Sequence, residues 1–546
     1  MLRPYQTQAL NKIDEALTAC INRQLLVMAT GSGKTEVFSH LPEGLKHRLP
    51  GQMMILLHRD ELAQQAINKL RLRNPLLNVQ QEAGMEKCDP STADVIVASV
   101  QTLGRKGTTR LDKFNRDRLD KIVVDEAHRS VADSYYNVYN HFDLLKDGDK
   151  RLLLGVTATP TRGNGEGLGK LYQRIVYTYS LRQAIEDGWL VDVRGKRVNT
   201  KISLDGVSTS DGDFDKTELE DAVNNPYRNQ LVLQAYKDNC DGRQAIGFGV
   251  GIKHSQDLAE CFVAAGINAK AVWGKDPERD QKVQDFRDGN IQVLFNAQLL
   301  VEGFDLDTIS CVILAAPTKS GVVFSQRVGR GTRLSPMKTD CIVLDIVDST
   351  SRHSLVTVPT LLGMPKDLDL RGGSLVGSCK KLEEMQAEFP HLDFTTLKDI
   401  DKIRAFVEDV NLFEVKFPPE LEGASDFTWH PSIHGGYILT LPEKDFVTIH
   451  QNLLDKFEIH AIIKGKKYRG ERDSMEDVFS AADNLVRTQS PECLKLVNKK
   501  SVWREDQATD KQLKTLRRFY KGKQIPPDLT KGAADGLIKA AIAGKG

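Results

Sequence analysis

The sequence predicts an α/β protein in which two parallel-sheet domains with flanking helices are followed by a small α+β module and a C-terminal pair of helices. Short apolar runs such as 25–28 and 53–57 alternate with helix-like segments, which is typical of parallel sheets covered by helices. The same alternation begins again at Ala245–Phe248. From Phe427 onward, apolar residues recur at every second position, which indicates strands with one exposed face.

Length and charge limit the possible architectures. At 546 residues the chain is too long for one hydrophobic core, so roughly two to four domains are expected. The 75 Lys and Arg residues balance 74 Asp and Glu residues, so net charge indicates no particular partner and local charge must be examined instead. The changes in pattern predict a first domain over 1–188, a linker over 189–218, a second domain over 219–358, connector helices over 359–425, the small module over 426–488 and a basic helical tail over 489–546.

The eight cysteines are scattered without a C-x-x-C pair or zinc spacing, so we expect reduced, mostly buried thiols. The first residues lack an apolar signal core, and no run reaches the roughly 18 apolar residues of a membrane span. These features predict a cytoplasmic protein with no membrane partner. Nothing in the sequence requires more than a monomer.

The apolar run 25–28 leads into a glycine-rich turn, "ATGSGKT" at 29–35, and a helix is expected to follow. This arrangement aims several backbone N–H groups at one point, which suits the phosphates of ATP. Lys34 would reach the β- and γ-phosphates, and the Thr35 hydroxyl would bind Mg²⁺. The strict pattern has glycine in place of Met28, so an ordinary strand-to-helix turn is the alternative. The predicted nucleotide-binding residues are Thr30, Gly31, Ser32, Gly33, Lys34 and Thr35.

Two carboxylates, Asp125 and Glu126, follow the apolar run 122–124 downstream of this loop. In ATP hydrolysis one carboxylate holds Mg²⁺ and another orients and deprotonates the attacking water, and we predict these roles for Asp125 and Glu126 respectively. A solvated acidic strand end is the alternative, which the pairing with the Lys34 loop disfavours. Upstream, the amide of Gln6 could recognise adenine, although this residue could equally belong to a capped surface helix.

Polar side chains follow other predicted strands of the first domain. Because the C-terminal ends of parallel strands meet at one edge of a sheet, these side chains should share one rim and could bind the phosphates of a nucleic acid. The alternative is that each of them merely caps a helix. They are Arg59, Ser99, Gln101 and Thr102. The hydroxyls of Thr157 and Thr159 could link the nucleotide site to a neighbouring surface.

Three motifs, in this order and spacing, resemble the first motor domain of a superfamily 2 helicase: "ATGSGKT" at 29–35, "DEAH" at 125–128 and "TATP" at 157–160. "EGFD" at 302–305 and "QRVGRGTR" at 326–333 extend the resemblance into a second domain. The similarity covers roughly residues 1–360 and is nearest to repair helicases and restriction-enzyme motor subunits. It implies two RecA-like domains with ATP, Mg²⁺ and nucleic acid in the cleft between them.

The resemblance also implies roles for individual residues. Gln6 would recognise adenine with Arg3 packed nearby, and Gln326 would help to close the cleft. Arg330 and Arg333, three apart on a helix face, would act as arginine fingers, because their planar guanidinium groups match the charge of the transferring phosphate. The other implied roles are coupling of hydrolysis to strand contacts for His128, Thr157 and Thr159, nucleotide sensing for Gly303 and Asp305, and nucleic-acid contact for Lys319.

The small module carries a basic turn that contains Lys466 and Lys467. With the nearby rings of Trp429, Tyr437 and Tyr468, these lysines could form a platform for single-stranded nucleic acid. The alternative is that the rings form the core of the module and the lysines only solvate the turn.

The tail contains a predicted helix that Thr509 caps and that carries Arg517 among several lysines. With a second helix from Thr530, it could contact DNA or dock a partner protein. An E-x-K string at Glu414–Lys416 is the minimal form of a metal nuclease motif, but no α/β core is predicted around it.

Together these features predict an ATP-dependent DNA helicase or translocase that acts on single-stranded or forked duplex DNA. An RNA-dependent ATPase is one alternative, because paired RecA-like domains grip the sugar-phosphate backbone and hardly read bases. A DNA-stimulated motor subunit that remodels or recruits a nuclease or polymerase is another, with a repair, replication or defence protein as its partner. The "DEAH" spelling and the repair-type second domain favour DNA, and the expected setting is a bacterial or phage-type cytoplasm.

Overall fold

The computed structural model divides the chain into two compact units, Met1–Val356 and Thr357–Gly546. The described residues are 2–58, 63–146, 148–158, 168–210, 212–297, 306–336, 338–350, 352, 355–388, 394–403, 424–432, 436–442, 445–452, 454–499, 501, 504–519, 529–534 and 538. Five of the sequence predictions fall outside these residues: Arg59, Thr159, Gly303, Asp305 and the E-x-K string at 414–416.

The first sheet of unit one has seven strands, and all of its strand pairings are parallel. The strands are Arg23–Met28 (β1), Gln52–Leu57 (β2), Val79–Glu82 (β3), Val95–Ser99 (β4), Leu119–Asp125 (β5), Leu152–Thr157 (β6) and Arg174–Tyr179 (β7). Their spatial order is β3-β4-β2-β5-β6-β1-β7. Every residue of β2 is buried, as expected for a central parallel strand covered on both faces.

Helices cover this sheet and place their apolar faces in its core. The first of them begins with a proline in its first turn and buries Ala9, Ile13 and Ala16, which recur at helical spacing. The helices are Pro4–Thr18 (α1), Lys34–Ser39 (α2), Leu41–Gly44 (α3), Ala63–Arg73 (α4), Val100–Leu103 (α5), Asp133–His141 (α6) and Leu181–Glu186 (α7).

A second parallel sheet follows, with six strands in the order β12-β13-β11-β14-β15-β8. The strands, with a short hairpin formed by β9 and β10, are Asp192–Ser203 (β8), Thr209–Ser210 (β9), Asp213–Phe214 (β10), Ala245–Phe248 (β11), Ala269–Val272 (β12), Val293–Asn296 (β13), Cys311–Leu314 (β14) and Asp340–Ser349 (β15). The helices of this half are Lys216–Val223 (α8), Pro226–Cys240 (α9), Ile252–Ala264 (α10), Arg279–Arg287 (α11) and Gly321–Val328 (α12). The two parallel sheets confirm the predicted fold class.

The segment predicted as a linker, 189–218, contains strand β8, which pairs in parallel with β15 and belongs to the second sheet. The sequence does not show β8 as a strand, because β8 lies at the edge of the sheet and several of its side chains are polar and exposed. A fully buried ion pair supports this edge: Arg228 Nη2 lies 2.7 Å from Asp348 Oδ2. Thr200 of β8 donates a hydrogen bond to the same carboxylate.

The parallel order decides where the motifs lie. The segments that follow β1, β2, β4, β5 and β6 all begin at the C-terminal ends of neighbouring parallel strands, which form one edge of the sheet. The phosphate loop follows β1, and the two carboxylates stand at the end of β5. The first sheet therefore gathers the predicted nucleotide site along one edge.

In the second unit a helix, Leu375–Glu388 (α13), precedes a five-stranded antiparallel sheet in the order β16-β17-β18-β19-β20. The sheet strands are His430–Pro431 (β16), Tyr437–Thr440 (β17), Phe446–Gln451 (β18), Phe457–Ile463 (β19) and Lys466–Arg472 (β20). The helices that follow are Met475–Gln489 (α14), Leu494–Val497 (α15) and Asp510–Phe519 (α16). The apolar alternation predicts strands that correspond to β17, β18 and β19, and the helix α14 follows as predicted. The prediction that Lys466 and Lys467 lie in a turn is wrong, because both belong to β20, an edge strand that pairs with β19 and exposes its polar side chains.

The inner face of this sheet and α14 form one core. Trp429 is completely buried there, and its ring packs edge-on against Phe479 with centroids 5.1 Å apart. Tyr437 and Tyr468 pack against the same core, and Tyr468 Oη donates to Gln489 Oε1 at 2.8 Å. The rings therefore serve the core, as the structural alternative predicted, and they do not form an exposed stacking platform.

The helix α16 begins as predicted at Thr509. The Thr509 hydroxyl accepts a hydrogen bond from Gln512 N at 3.2 Å, and Gln512 Oε1 accepts one from Thr509 N at 2.9 Å, which together form a capping box. Residues 531–534 are helical, in agreement with the second predicted tail helix. Among the described helices, none combines the length and the apolar character needed to span a lipid bilayer.

Candidate nucleotide-binding site

The phosphate loop depends on two glycines with left-handed backbone angles. Gly31 has a φ of 86° and Gly33 a φ of 84°, conformations that side chains with a Cβ rarely adopt. A Cβ on Gly33 would also lie 2.6 Å from Gln6 Nε2. Gly33 is therefore required both by its backbone and by the close approach of α1 to the loop.

Two side chains of helix α1 hold this loop in place through hydrogen bonds. Tyr5 Oη and Gln6 Nε2 both donate to the backbone carbonyl of Ser32, at 2.6 and 3.1 Å. Gln6 Oε1 accepts a hydrogen bond from the backbone N–H of Arg3 at 2.9 Å. The amide of Gln6 is buried and bonded at both ends, so here it positions the loop, and its role in adenine recognition stays a prediction.

Three aromatic rings surround the start of α1. Tyr5 stacks on Tyr179 with centroids 4.0 Å apart and meets the edge of Trp189 at 6.1 Å. The guanidinium of Arg3 lies 4.6 Å from the centroid of Trp189. Sequence analysis singled out Arg3 and Gln6 but missed Tyr5, which stands between Pro4 and Gln6 and whose hydroxyl reaches the loop. A polar-tipped aromatic in the first turn of α1 was the available signal.

Lys34 and the two carboxylates meet across the end of β5. Lys34 Nζ lies 3.5 Å from Glu126 Oε1, and both side chains are mostly buried. Glu126 itself adopts a left-handed conformation with a φ of 50°, which is strained for a residue with a side chain. Its backbone N–H donates to Asp125 Oδ1 at 3.0 Å, so the strained turn holds the two carboxylates together at the end of β5.

The charge state of Glu126 follows from its neighbours. Burial by itself raises the pKa of this carboxyl, but the positive charge of Lys34 and the charge and hydrogen bond of His128 outweigh burial and leave the pKa below its ordinary value. His128 Nδ1 lies 3.4 Å from Glu126 Oε2. Glu126 is therefore ionised at neutral pH, the form that can accept a proton from water.

Buried hydroxyl and amide groups surround the loop. Thr30 Oγ1, Thr157 Oγ1 and Gln326 Nε2 are buried and have no hydrogen-bond partner among the described residues. A buried polar atom in this state typically costs about 1–3 kcal/mol unless a ligand or water satisfies it. Each atom belongs to a predicted motif, and each is suited to a polar group that enters the cleft.

The second half of unit one reaches the phosphate loop directly. A Cβ on Gly31 would lie 3.6 Å from Thr332 Oγ1 and 3.7 Å from Arg333 Cγ, and a Cβ on Gly329 would clash with the side chain of Thr30. The Thr332 carbonyl also accepts a hydrogen bond from Val191 N at 2.8 Å. The segment 329–333 therefore lies against the loop that is expected to hold the phosphates.

The prediction that Arg330 and Arg333 share a helix face is wrong, because α12 ends at Val328 and both arginines lie beyond it. Two close approaches explain why the helix stops there. Gly329 contacts Thr30, and a Cβ on Gly331 would clash with Cys341 and crowd Val312, so glycines are needed where the chain turns. Arg330 is buried and Arg333 partly exposed.

Arg327, in the same motif, has a structural role that the sequence did not reveal. Its Nη1 donates to the Ala316 carbonyl at 2.6 Å, and its guanidinium lies 5.5 Å from the centroid of Phe248. Burial lowers the pKa of Arg327 to about 10, which leaves it charged at neutral pH. This arginine anchors α12 to its own sheet and does not face the loop.

The predicted nucleic-acid rim is only partly exposed. Gln101 is exposed, but Ser99 is buried, and its hydroxyl does not cap the helix that follows. Thr102 Oγ1 accepts a hydrogen bond from Gly84 N at 3.0 Å, so it stabilises a neighbouring loop. In the second half, Lys319 Nζ lies 6.0 Å from the centroid of Phe214, and its backbone N–H donates to Asp213 Oδ1 at 2.8 Å.

A contact at this rim was not predicted. Arg129 Nη1 lies 3.3 Å from His58 Nε2 and so connects the residue after β2 to the turn after β5. His58 directly follows β2, but Arg129 lies four residues beyond the end of β5, so no local pattern joined the two residues. In unit two, the basic residues predicted to bind nucleic acid, Lys466, Lys467 and Arg517, are all exposed.

Comparison with known families agrees with the helicase architecture that the two parallel sheets and the phosphate loop indicate. Residues 1–162 match the family described as type III restriction enzyme, res subunit, and residues 228–335 match the helicase conserved C-terminal domain. Residues 412–546 match the C-terminal domain of the mitochondrial helicase Irc3. The fold and the motifs define a superfamily 2 helicase, an ATP-using enzyme of the nucleic-acid-dependent ATPase class.

Individual relatives indicate which family of helicases this chain resembles. The chain is 31% identical to the putative mitochondrial ATP-dependent helicase irc3 of Schizosaccharomyces pombe, over 100% of this chain and 91% of that protein. It is 35% identical to the putative ATP-dependent helicase IRC3 of Saccharomyces cerevisiae over 67% of this chain, which spans only 54% of that protein. A type I restriction endonuclease subunit, EcoAI of Escherichia coli, is 27% identical over 61% of this chain and 44% of that protein. The chain belongs to the Irc3 helicase family.

Proposed function

We propose that this protein is an ATP-dependent DNA helicase or translocase that hydrolyses ATP between its two RecA-like halves and moves along one DNA strand. The observation that carries this proposal is the contact of segment 329–333 with the phosphate loop around Gly31. A second half that already lies on the loop can complete the ATP site when the cleft closes and weaken it when the cleft opens.

The roles within the site follow from the contacts. Lys34 would exchange its contact with Glu126 for the phosphates, Thr35 and Asp125 would hold Mg²⁺, and ionised Glu126 would orient the attacking water. When bound, Mg²⁺ neutralises charge on the β- and γ-phosphates. Arg330 and Arg333 supply positive charge from the second half, where guanidinium groups stabilise the transferring phosphate.

DNA is the proposed substrate for two reasons. The motifs resemble repair-type motors, and one relative is named as a restriction endonuclease subunit. Exposed basic residues of unit two, Lys466, Lys467 and Arg517, would add contacts to the phosphate backbone. A partner nuclease or polymerase would remain necessary if the motor alone does not separate strands.

The test is steady-state ATP hydrolysis with no nucleic acid, single-stranded DNA, forked duplex DNA and single-stranded RNA. We expect DNA to stimulate hydrolysis in wild type and in the control Lys12→Ala, an exposed lysine paired with Glu15 on α1. Lys34→Ala should abolish the stimulated rate. Stimulation by RNA alone would contradict the DNA proposal, and DNA-stimulated hydrolysis without strand displacement would favour a motor subunit that needs a partner.

We propose that this protein acts in the cytoplasm of a bacterial or phage-type system. The relative from S. pombe is named mitochondrial, so the mitochondrion is the competing location. Fractionation of the host cells, followed by detection with an antibody against this chain, would decide between them.

A further inference from the structure

We propose that the outer face of the small antiparallel sheet holds a divalent transition-metal site formed by His450, Glu458 and His460, with Zn²⁺ as the ion that fits best. The three side chains come from adjacent strands: His450 pairs directly with Glu458 across β18 and β19, and His460 follows Glu458 two residues later. Side chains at these positions point to the same face of the sheet. The opposite face, with Ile459 and Ala461, packs into the core.

The distances fit the coordination shell of zinc. Glu458 Oε2 lies 3.4 Å from His450 Nε2 and 3.1 Å from His460 Nε2. Ligands bound tetrahedrally to Zn²⁺ at their usual lengths stand about 3.3 Å apart, so both separations match an edge of that tetrahedron. The ligand atoms of all three residues lie within 4.8 Å of one another. The imidazole rings are partly exposed and can turn to close the remaining gap.

The chemistry of the donors agrees with this assignment. Two imidazoles and one carboxylate are the protein ligands of many zinc sites that keep one position open for water. The second oxygen of the carboxylate, Glu458 Oε1, accepts a hydrogen bond from Asn452 Nδ2 at 2.6 Å, which orients Glu458 toward the imidazoles. The rings of His450 and His460 have centroids 4.9 Å apart and are tilted by 57° to each other.

A simpler explanation is that the carboxylate only bridges two imidazoles through hydrogen bonds. That arrangement would stabilise the pair of strands without any ion, and it would tolerate removal of metal. The two explanations differ in one measurable quantity, which is the affinity of the whole chain for zinc.

The experiment uses the full chain without a histidine tag, freed of metal and titrated with Zn²⁺ against a chromophoric chelator. We expect one high-affinity zinc ion per chain in wild type, and at least about tenfold weaker binding in His450→Ala and in Glu458→Gln. Asn452→Ala should weaken binding by about 10–100-fold, as loss of an orienting partner does in other zinc sites. Circular dichroism confirms that each variant keeps its fold.

The matched control is His47→Ala. His47 Nε2 lies 3.4 Å from Asp14 Oδ1, the same separation as in the pair His450–Glu458, but this pair is not part of any three-residue cluster found among the described residues. Zinc binding should be unchanged in this control. Visible absorption bands of four-coordinate Co²⁺ in wild type, absent in Glu458→Gln, would support the site independently. Equal zinc affinity in wild type and Glu458→Gln, or an equal loss in His47→Ala, would overturn the proposal.

Discussion

At the residue scale, the site is governed by charges and by backbone strain. Lys34 and Glu126 compensate each other in a mostly buried position, and His128 adds a second contact to the same carboxylate. The left-handed Glu126 carries the strain that places it there. Strain of this kind typically costs about 1–3 kcal/mol and persists only where the surrounding structure over-determines it, as the contacts with Lys34, Asp125 and His128 do here.

Replacement of Glu126, the proposed base, tests this arrangement. Glu126→Gln keeps the shape of the side chain but removes its ability to accept a proton, so kcat for DNA-stimulated hydrolysis should fall by about 10²–10⁴-fold. Binding of a fluorescent ATP analogue should be retained, because Lys34 loses a competing carboxylate contact. Glu15→Gln, an exposed glutamate on α1, serves as the control and should leave kcat unchanged. An unaltered kcat in Glu126→Gln would remove this residue from the chemistry.

A buried histidine predicts how stability changes with pH. Burial and then the charge of Arg228 lower the pKa of His254 to about 3, against a small opposite effect of Asp257. The unfolded chain binds a proton near pH 6.5 and the folded chain does not, so stability is complete above about pH 6.5 and is lost as the pH falls. Between pH 7 and pH 5 this one group should account for a loss of about 2 kcal/mol.

The measurement is amide hydrogen exchange of the second sheet at pH 7 and pH 5, corrected for intrinsic exchange rates. His254→Gln should show a smaller loss of protection than wild type between the two pH values. The exposed His47→Gln should behave like wild type. The same acid-induced loss in wild type and His254→Gln would contradict the assignment.

At the element scale, α1 and the phosphate loop act together. The motif letters predicted the strand, the loop and the carboxylates at the end of β5, because each depends on local patterns of a few residues. The hydrogen bonds from Tyr5 and Gln6 to the Ser32 carbonyl were not predictable, since they join segments 26 or 27 residues apart. The end of α12 at Val328 was missed although Gly329 and Gly331 follow it, and glycine after a helix is a local signal for its end.

Gly33 offers a test of this support. Gly33→Ala must strain a φ of 84° and place a methyl group 2.6 Å from Gln6 Nε2, so ATP affinity should fall at least about tenfold, which corresponds to about 1.4 kcal/mol. Gly107→Ala is the matched control, since Gly107 has a φ of 77° but nothing within 4 Å of the new methyl group. In both variants the left-handed backbone should lower the free energy of unfolding by about 1–2 kcal/mol. Only Gly33→Ala should lose ATP binding. Equal effects on ATP binding would mean that the contact with α1 is unimportant.

At the scale of the whole molecule, the first unit functions as two parallel-sheet halves that meet at the phosphate loop. Gly329 of the second half contacts Thr30 of the first, and Thr332 and Arg333 lie beside Gly31. In the function proposed above, this contact would let the position of the second half determine whether the ATP site is complete.

The contact can be tested without disturbing either sheet. Gly329 has a helical φ of −60°, so its own backbone tolerates alanine, but the methyl group would collide with Thr30. Gly329→Ala should lower the DNA-stimulated kcat at least about tenfold while leaving the affinity for ATP within about twofold. Gly274→Ala, with no atom within 4 Å of the new methyl group, is the control. A normal kcat in Gly329→Ala would separate this contact from catalysis.

The fold class and the helicase superfamily of this protein could be predicted from its sequence, because strand periodicity and the order of short motifs are local properties of the chain. The sequence also predicted that Lys34, Asp125 and Glu126 act on ATP, and these roles stay predictions. That β8 completes the second sheet became clear only from the folded structure. The pairing of His450 with Glu458 was likewise visible only in the structure. These features depend on the pairing of strands, and a local sequence pattern does not specify which strand pairs with which.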